Sequence, residues 1–345
     1  MTSIIKFKNI VTSSLFPEYQ LEMNYENEIA NSISYLSSKN ALNSIESDPY
    51  WPKWDSPWWH MLLLYEMNET KKIPEITILK MVEKLKNLPI KYFPIYPEEI
   101  PENISKLRDT SCHCALGNIY QVLFDYGVNV DKELPWIKSW FFKYQMRDGG
   151  LNCDEKAYHE TEECPSSIVG TIGAFEAVLL NYTENNDCHE EIKFIDQCAQ
   201  FFIERKLMLG SSSKHNHEEC LDEEKWQKTC FPRFYLYDIL RGLTALLKWS
   251  HLRSKPIPLS SIFDATSLLI QSSPDGFIRN QRQSYSGVNS YFINPNNHKT
   301  EKKEASFFSL LKETSILNNI SPYLTRHWSE AKLMLMSLIN KNLIY

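Results

Sequence analysis

Apolar and polar positions along the chain repeat with a helical period. From Asn24 to Ser38 the apolar residues Ile29, Ile33 and Leu36 fall on one side, which predicts a one-faced helix. Ser56 and Pro57 then open a segment, Trp58 to Met67, that is apolar nearly all round and should be buried. Glu75 to Leu88 is one-faced again, through Ile78, Met81, Val82 and Leu85. A proline-rich connection covers 89–107. The alternation then continues: Cys112–Tyr126 mostly apolar, Asp131–Gln145 amphipathic with Pro135 in its first turn, Ser166–Leu180 small and apolar, Glu190–Leu207 amphipathic. Phe234–Trp249 is rich in Leu and aromatics, Leu259–Gln271 is amphipathic, and Ser321–Ile339 offers a last helix.

Buried-type helices therefore alternate with one-faced ones, starting near residues 57, 110, 166, 234 and 322. Helix pairs in this order stack into an open solenoid or close into a ring. Self-similarity is too loose for a solenoid. The expected fold is all-α: a closed α/α toroid of five to six hairpins, one domain over 1–345, with 1–23 as an N-terminal extension and 274–302 as a long loop. The connections 89–107, 147–165, 208–233 and 274–302 would cluster at one end and carry the polar chemistry.

Composition narrows the functions. Gly is scarce, at 10 of 345 residues, which agrees with helices; aromatic residues reach 13%. A net charge of −6 without a basic run excludes a nucleic-acid partner. No stretch offers the roughly 18 apolar residues of a membrane helix. Lys6, Lys8 and Asn9 interrupt the apolar residues near the start, so no secretory signal is read there and the expected location is the cytoplasm. Eight cysteines in such a chain read as buried thiols, ligands or nucleophiles, not as a disulfide framework.

Four of these, Cys112, Cys114, Cys153 and Cys164, fall between Arg108 and Val178. With them lies the turn Asp148-Gly149-Gly150-Leu151-Asn152-Cys153, of which Pro274-Asp275-Gly276-Phe277 is a weaker copy. Such turns resemble the repeats of terpenoid cyclases and protein prenyltransferase β subunits. The pattern is most similar to that of uncharacterised bacterial and archaeal prenyltransferase- or squalene-cyclase-like proteins. It is carried by Ser56-Pro57-Trp58-Trp59-His60-Met61-Leu62-Leu63-Leu64, by Cys114-Ala115-Leu116-Gly117-Asn118, by the turn with Cys164 after it, and by Phe231-Pro232-Arg233-Phe234-Tyr235-Leu236-Tyr237-Asp238. It covers about residues 50–280. The resemblance implies the toroid and a hydrophobic or isoprenoid-type ligand in its central cavity. The chain departs from the pattern where chemistry is concerned: the D-x-D-D motif that protonates an alkene and the D-D-x-x-D motif that holds magnesium are both missing. Asp196-Gln197-Cys198 has a zinc-type spacing but sits on an amphipathic, outer-type helix, so no zinc site is carried over to it.

Cys114, Cys153 and Cys164, with Cys112, His113 or His159, supply enough soft ligands for zinc at a cavity rim; the metal set expected is Cys114, Cys153, Cys164 and His113. The competing readings are small buried hydrophobes, or a thiolate nucleophile at a helix start. Asp109 and Asp148 are candidate catalytic acids that equally suit a helix cap and a tight turn. Tyr235, Tyr237 and Asp238 open an inner helix, where aromatic and acidic groups suit a carbocation or a sugar; alternatively Asp238 pairs with Arg241 at i, i+3. Trp58, Trp59, His60, Cys112, Asn118, His159 and Arg241 are the expected cavity lining. Two other functions stay open. One is a toroidal glycoside hydrolase or lyase, which needs two carboxylates about 5–10 Å apart, Asp238 with Asp109, Asp148 or Glu163. The other is a ligand-binding or interaction module without catalysis.

Overall fold

The computed structural model describes residues 2–14, 24–104, 109–183, 188–284, 287–294 and 300–345. Among them the chain is mostly helical, with fifteen α-helices and one two-stranded sheet. The first half runs α1 (Thr2–Ser13), α2 (Glu26–Leu36), α3 (Lys39–Ser47), α4 (Pro57–Glu66), α5 (Glu75–Lys86), α6 (His113–Tyr126), α7 (Val130–Glu133) and α8 (Trp136–Tyr144). The second half runs α9 (Ile168–Asn181), α10 (His189–Glu204), α11 (Glu223–Trp226), α12 (Ile239–Arg253), α13 (Leu259–Ser272), α14 (Ser309–Thr314) and α15 (Pro322–Asn340). No helix among the described residues is long and apolar enough to cross a membrane.

The all-round apolar segments became helices buried over most of their residues, α4, α6 and α9 above all. α4 packs on α6, α6 on α9, α9 on α12 and α12 on α15, with α6–α9 the most extensive contact. That contact explains a glycine. A Cβ on Gly117 would lie 2.3 Å from the Gly173 carbonyl carbon, so the two backbones cross where neither carries a side chain. The one-faced helices lie against this set: α8 on α6, α10 on α9 and α12, α13 on α12.

Several boundaries differ from the periodicity. Pro135 divides the expected 131–145 helix into α7 and α8, because its ring cannot continue a helix begun upstream. The helix expected from Phe234 starts at Ile239. Phe234 has φ +54°, outside the right-handed helical region, and Asp238 caps α12 by accepting the Arg241 N–H. The 1–23 stretch expected as an extension contains α1, whose Phe7 and Val11 are fully buried and which packs on α15; residues 15–23 lie outside the described residues. The 274–302 loop contains β1 (Asn289–Ile293), which pairs antiparallel with β2 (Thr300–Glu304), Asn289 opposite Glu304.

One loop bridges α4 and α15. The Arg233 and Phe234 N–H groups donate to the Glu66 carboxylate of α4 at 2.8 and 2.6 Å, while the Arg233 guanidinium donates to His327 of α15 at 2.7 Å.

Candidate functional site

Cys112 is the residue before α6 and has extended backbone, φ −130° and ψ 164°. Two residues apart within a helix would point in different directions. The extended cap instead turns the Cys112 sulfur back toward Cys114, and the two Sγ atoms are 3.3 Å apart. Cys153 arrives from the Asp148–Gly150 turn. Gly149 has φ +90°, and the Asp148 carboxylate accepts the Gly150 N–H at 3.1 Å. Beyond the turn, the Asn152 side chain donates to the Pro165 carbonyl at 2.5 Å, which sets Cys153 against the start of α6. The sulfurs of Cys112, Cys114 and Cys153 all lie within 4.8 Å of one another, and this cluster can hold a metal ion. The donor chemistry fits zinc. Four sulfurs at about 2.3 Å from a tetrahedral zinc stand about 3.8 Å apart, and the observed spacing brackets that.

Hydrogen bonds with Cys114 and Cys153, and then with the Ala115 N–H, hold the Cys112 thiol well below its usual range; Cys114 and Cys153 are pushed up, first of all by their hydrogen bonds with Cys112. A cavity of about 270 Å³ opens beside Cys112 and Cys153, with Tyr50, Trp51, Leu88 and Phe93 in its walls. Burial and then the neighbouring sulfurs push the phenols of Tyr50 and Tyr235 up, so both stay protonated at neutral pH.

Two of the expected ligands stand elsewhere. His113 has both ring nitrogens engaged: Trp140 Nε1–H donates to Nδ1 at 2.8 Å, and Nε2 lies 2.9 Å from the Tyr158 hydroxyl. It is fully buried, and burial pushes its pKa down to about 4, so the ring is neutral. Cys164 ends against the Ser166 hydroxyl, 3.6 Å away, because Asp148 anchors Ser166. Cys112, expected as lining, takes a ligand position instead. His159 is exposed, stacked on Tyr96 at 4.8 Å, with Nε2 3.0 Å from the Ile95 carbonyl.

A second cavity, of about 250 Å³, is polar. Glu66 of α4, Gln121 of α6, Glu176 of α9, Arg241 of α12 and His327 of α15 line it, with Arg233 from the preceding loop. Arg241 gives Nε and Nη2 to Glu176, Nη2 also to Asn118 Oδ1 at 3.0 Å, and Nη1 to the Phe234 and Leu236 carbonyls at 2.8 and 2.7 Å. Asn118 donates in turn to the Cys114 carbonyl at 2.7 Å. One hydrogen-bond chain thus runs from the polar cavity to the backbone carbonyl of Cys114.

Two of the three candidate acids have structural uses. Asp238 is fully buried and caps α12. Asp148 holds its turn and accepts from Ser166. Asp109 lies upstream of the α6 cap, a position that Cys112 fills. Tyr237 is buried and donates to the Leu207 carbonyl at 2.8 Å. Trp58 and Trp59 are core residues, Trp59 stacked on Trp54 at 4.4 Å. His60 stacks on Phe308 at 3.7 Å beside a separate cavity of about 320 Å³. Asp196 accepts from Trp249 Nε1 and from Arg253.

Sequence reasoning missed Tyr50, Glu66, Glu176, Arg233 and His327. Glu176 was detectable: it is the one charged residue in the α9 sequence IVGTIGAFEAVLLN. No family model, no curated protein and no solved structure matches this chain.

Proposed function

We propose that the protein is a single-domain α/α toroid, related to prenyltransferases and terpenoid cyclases. It holds zinc on Cys112, Cys114 and Cys153 and takes a hydrophobic, isoprenoid-type molecule in the pocket beside the metal. The observation that carries this reading is the convergence of three thiols from two chain segments on a pocket walled by Tyr50, Trp51, Leu88 and Phe93. Closure of the ring is supported by the polar cavity, to which α4, α6, α9, α12 and α15 each contribute.

Three protein ligands is the number found in catalytic zinc sites, which keep a position for an outside ligand; structural sites use four. Zinc bound there supplies a Lewis acid. The chain's own residues do the rest: Tyr50, Trp51 and Phe93 offer ring faces to an apolar or cationic carbon skeleton beside the carboxylates of Asp48 and Glu155, and the phenols of Tyr50 and, near the sulfurs, Tyr235 stay neutral. Any reaction is of transferase or cyclase type, without the acid motif that protonates an alkene. None of the eight cysteines is joined in a disulfide, which suits a reducing compartment, the cytoplasm.

The glycosidase or lyase reading requires Asp238 with Asp109, Asp148 or Glu163; Asp238 caps α12 and Asp148 holds its turn, and the polar cavity's Glu66 and Glu176 are held by backbone N–H groups and by Arg241. A non-catalytic module remains the reading in which metal and ligand bind without turnover. Metal analysis and mass spectrometry of the purified chain test the proposal. It expects about one zinc per chain, lost in Cys153→Ser, and an extracted prenyl-type lipid. No stoichiometric metal, or a captured sugar, overturns it.

A further inference from the structure

Cys112 and Cys114 are separated from Cys153 by α6, α7, α8 and a turn, so something has to set one segment against the other. The His113 ring reaches the Asn152 backbone and Cys153 the Cys114 backbone directly, and Tyr158 is a third side chain that touches both segments. Its hydroxyl lies 2.9 Å from Nε2 of His113, the residue between Cys112 and Cys114. The same oxygen accepts the N–H of Asn152, the residue before Cys153, at 3.2 Å, and donates to the Tyr144 carbonyl at 3.1 Å.

Proton accounting fixes the direction of the chain. Trp140 donates to His113 Nδ1 at 2.8 Å, so in a neutral ring the proton is on Nε2. The Tyr158 hydroxyl has a single proton, and the Tyr144 carbonyl receives it. Nε2–H therefore donates to Tyr158 Oη, whose lone pairs serve His113 and Asn152 together. No atom is left over for a ligand role.

We propose that Tyr158, acting through His113 and the Asn152 amide, is the positioning residue that holds Cys153 in register with Cys112 and Cys114. This rests on the metal-centre reading above for its purpose but not for its geometry. Outer groups that orient metal ligands typically carry a 10–100-fold effect on affinity when removed. Tyr158→Phe removes one oxygen and leaves the ring packed against Phe93 and Tyr144.

The experiment has two arms on the full chain. In the first, Co²⁺ is titrated into metal-free protein and the sulfur-to-cobalt charge-transfer band is followed. Tyr158→Phe is expected to weaken binding about 10–100-fold and to reduce the band, with the far-ultraviolet circular dichroism unchanged. In the second, metal-free protein is treated with diamide. Two thiols give up two electrons and two protons to diamide, which becomes the hydrazine, and a disulfide joins Cys153 to Cys112 or Cys114. Peptide mass spectrometry is expected to find that disulfide in the wild type and at least about tenfold less of it in Tyr158→Phe. If the wild type binds no Co²⁺ but the disulfide still depends on Tyr158, the metal reading falls and the positioning role stands. Wild-type behaviour of Tyr158→Phe in the diamide arm overturns the positioning role.

Discussion

Asp238 and Arg241 are paired through the backbone of one and the side chain of the other. The Asp238 carboxylate accepts the Arg241 N–H at 2.9 Å, while the Arg241 guanidinium turns away to Glu176 at 2.6 Å. The i, i+3 spacing suggested an ion pair between the two side chains. What it marks is a helix cap beside a buried arginine whose acid comes from another helix.

That geometry makes Glu176 the costlier acid to alter. Glu176→Gln leaves the Arg241 guanidinium buried with a weaker partner. Breaking a fully buried pair costs about 3–5 kcal/mol. Glu176 keeps 22% side-chain exposure, so a loss of about 2 kcal/mol is expected. Urea denaturation midpoints measure it. A neutral outcome would mean that Asn118 and the carbonyls satisfy Arg241 unaided.

Gly117→Ala tests the crossing of α6 and α9. The added methyl has only backbone to displace, 2.3 Å away at Gly173. The expected destabilisation is about 1–3 kcal/mol, read as a lowered thermal midpoint. Glycine is required here by the neighbouring helix and not by its own backbone angles.

Stability should fall on the acid side of pH 6.5, with a sign that three histidines determine. Desolvation pushes the half-buried His60 and His327 down to about 3 and the fully buried His113 down to about 4. Between those values and the ordinary 6.5, the unfolded chain binds protons that the folded chain does not. The stabilisation is therefore complete above pH 6.5 and is lost as pH falls toward 3, at up to about 1.4 kcal/mol per pH unit for each histidine. Glu219 works the other way. Burial raises it to about 7, so its contribution declines as pH rises from about 4.5 to 7. His327→Gln should flatten the acid-side slope, and Glu219→Gln should steepen it. Chemical denaturation at successive pH values reads both.

The inner helices were legible because α4, α6 and α9 carry apolar residues on every face. Burial on all sides leaves no other arrangement open to such segments. The thiol centre was half legible. Four cysteines in one stretch pointed to it, but which three meet is decided by features that leave little trace in a cysteine count. The extended cap brings Cys112 in, while Asp148 and Ser166 hold Cys164 aside. His113 looked like a ligand because histidine often is one, and only its two bonds, to Trp140 and Tyr158, show it to be spent. The start of α12 was misjudged because Phe234 and Tyr235 fit a helical pattern. The positive φ of Phe234, held by Glu66 on one side and Arg241 on the other, comes from tertiary partners far away in the chain.

The central claim is that three sulfurs share one metal. Zinc-edge X-ray absorption of the purified chain measures this directly. The account expects three sulfur scatterers at about 2.3 Å with one lighter atom completing the shell, and loss of sulfur scattering in Cys153→Ser. A shell of nitrogen and oxygen alone at about 2.0–2.1 Å, or a chain that retains no zinc, would contradict it.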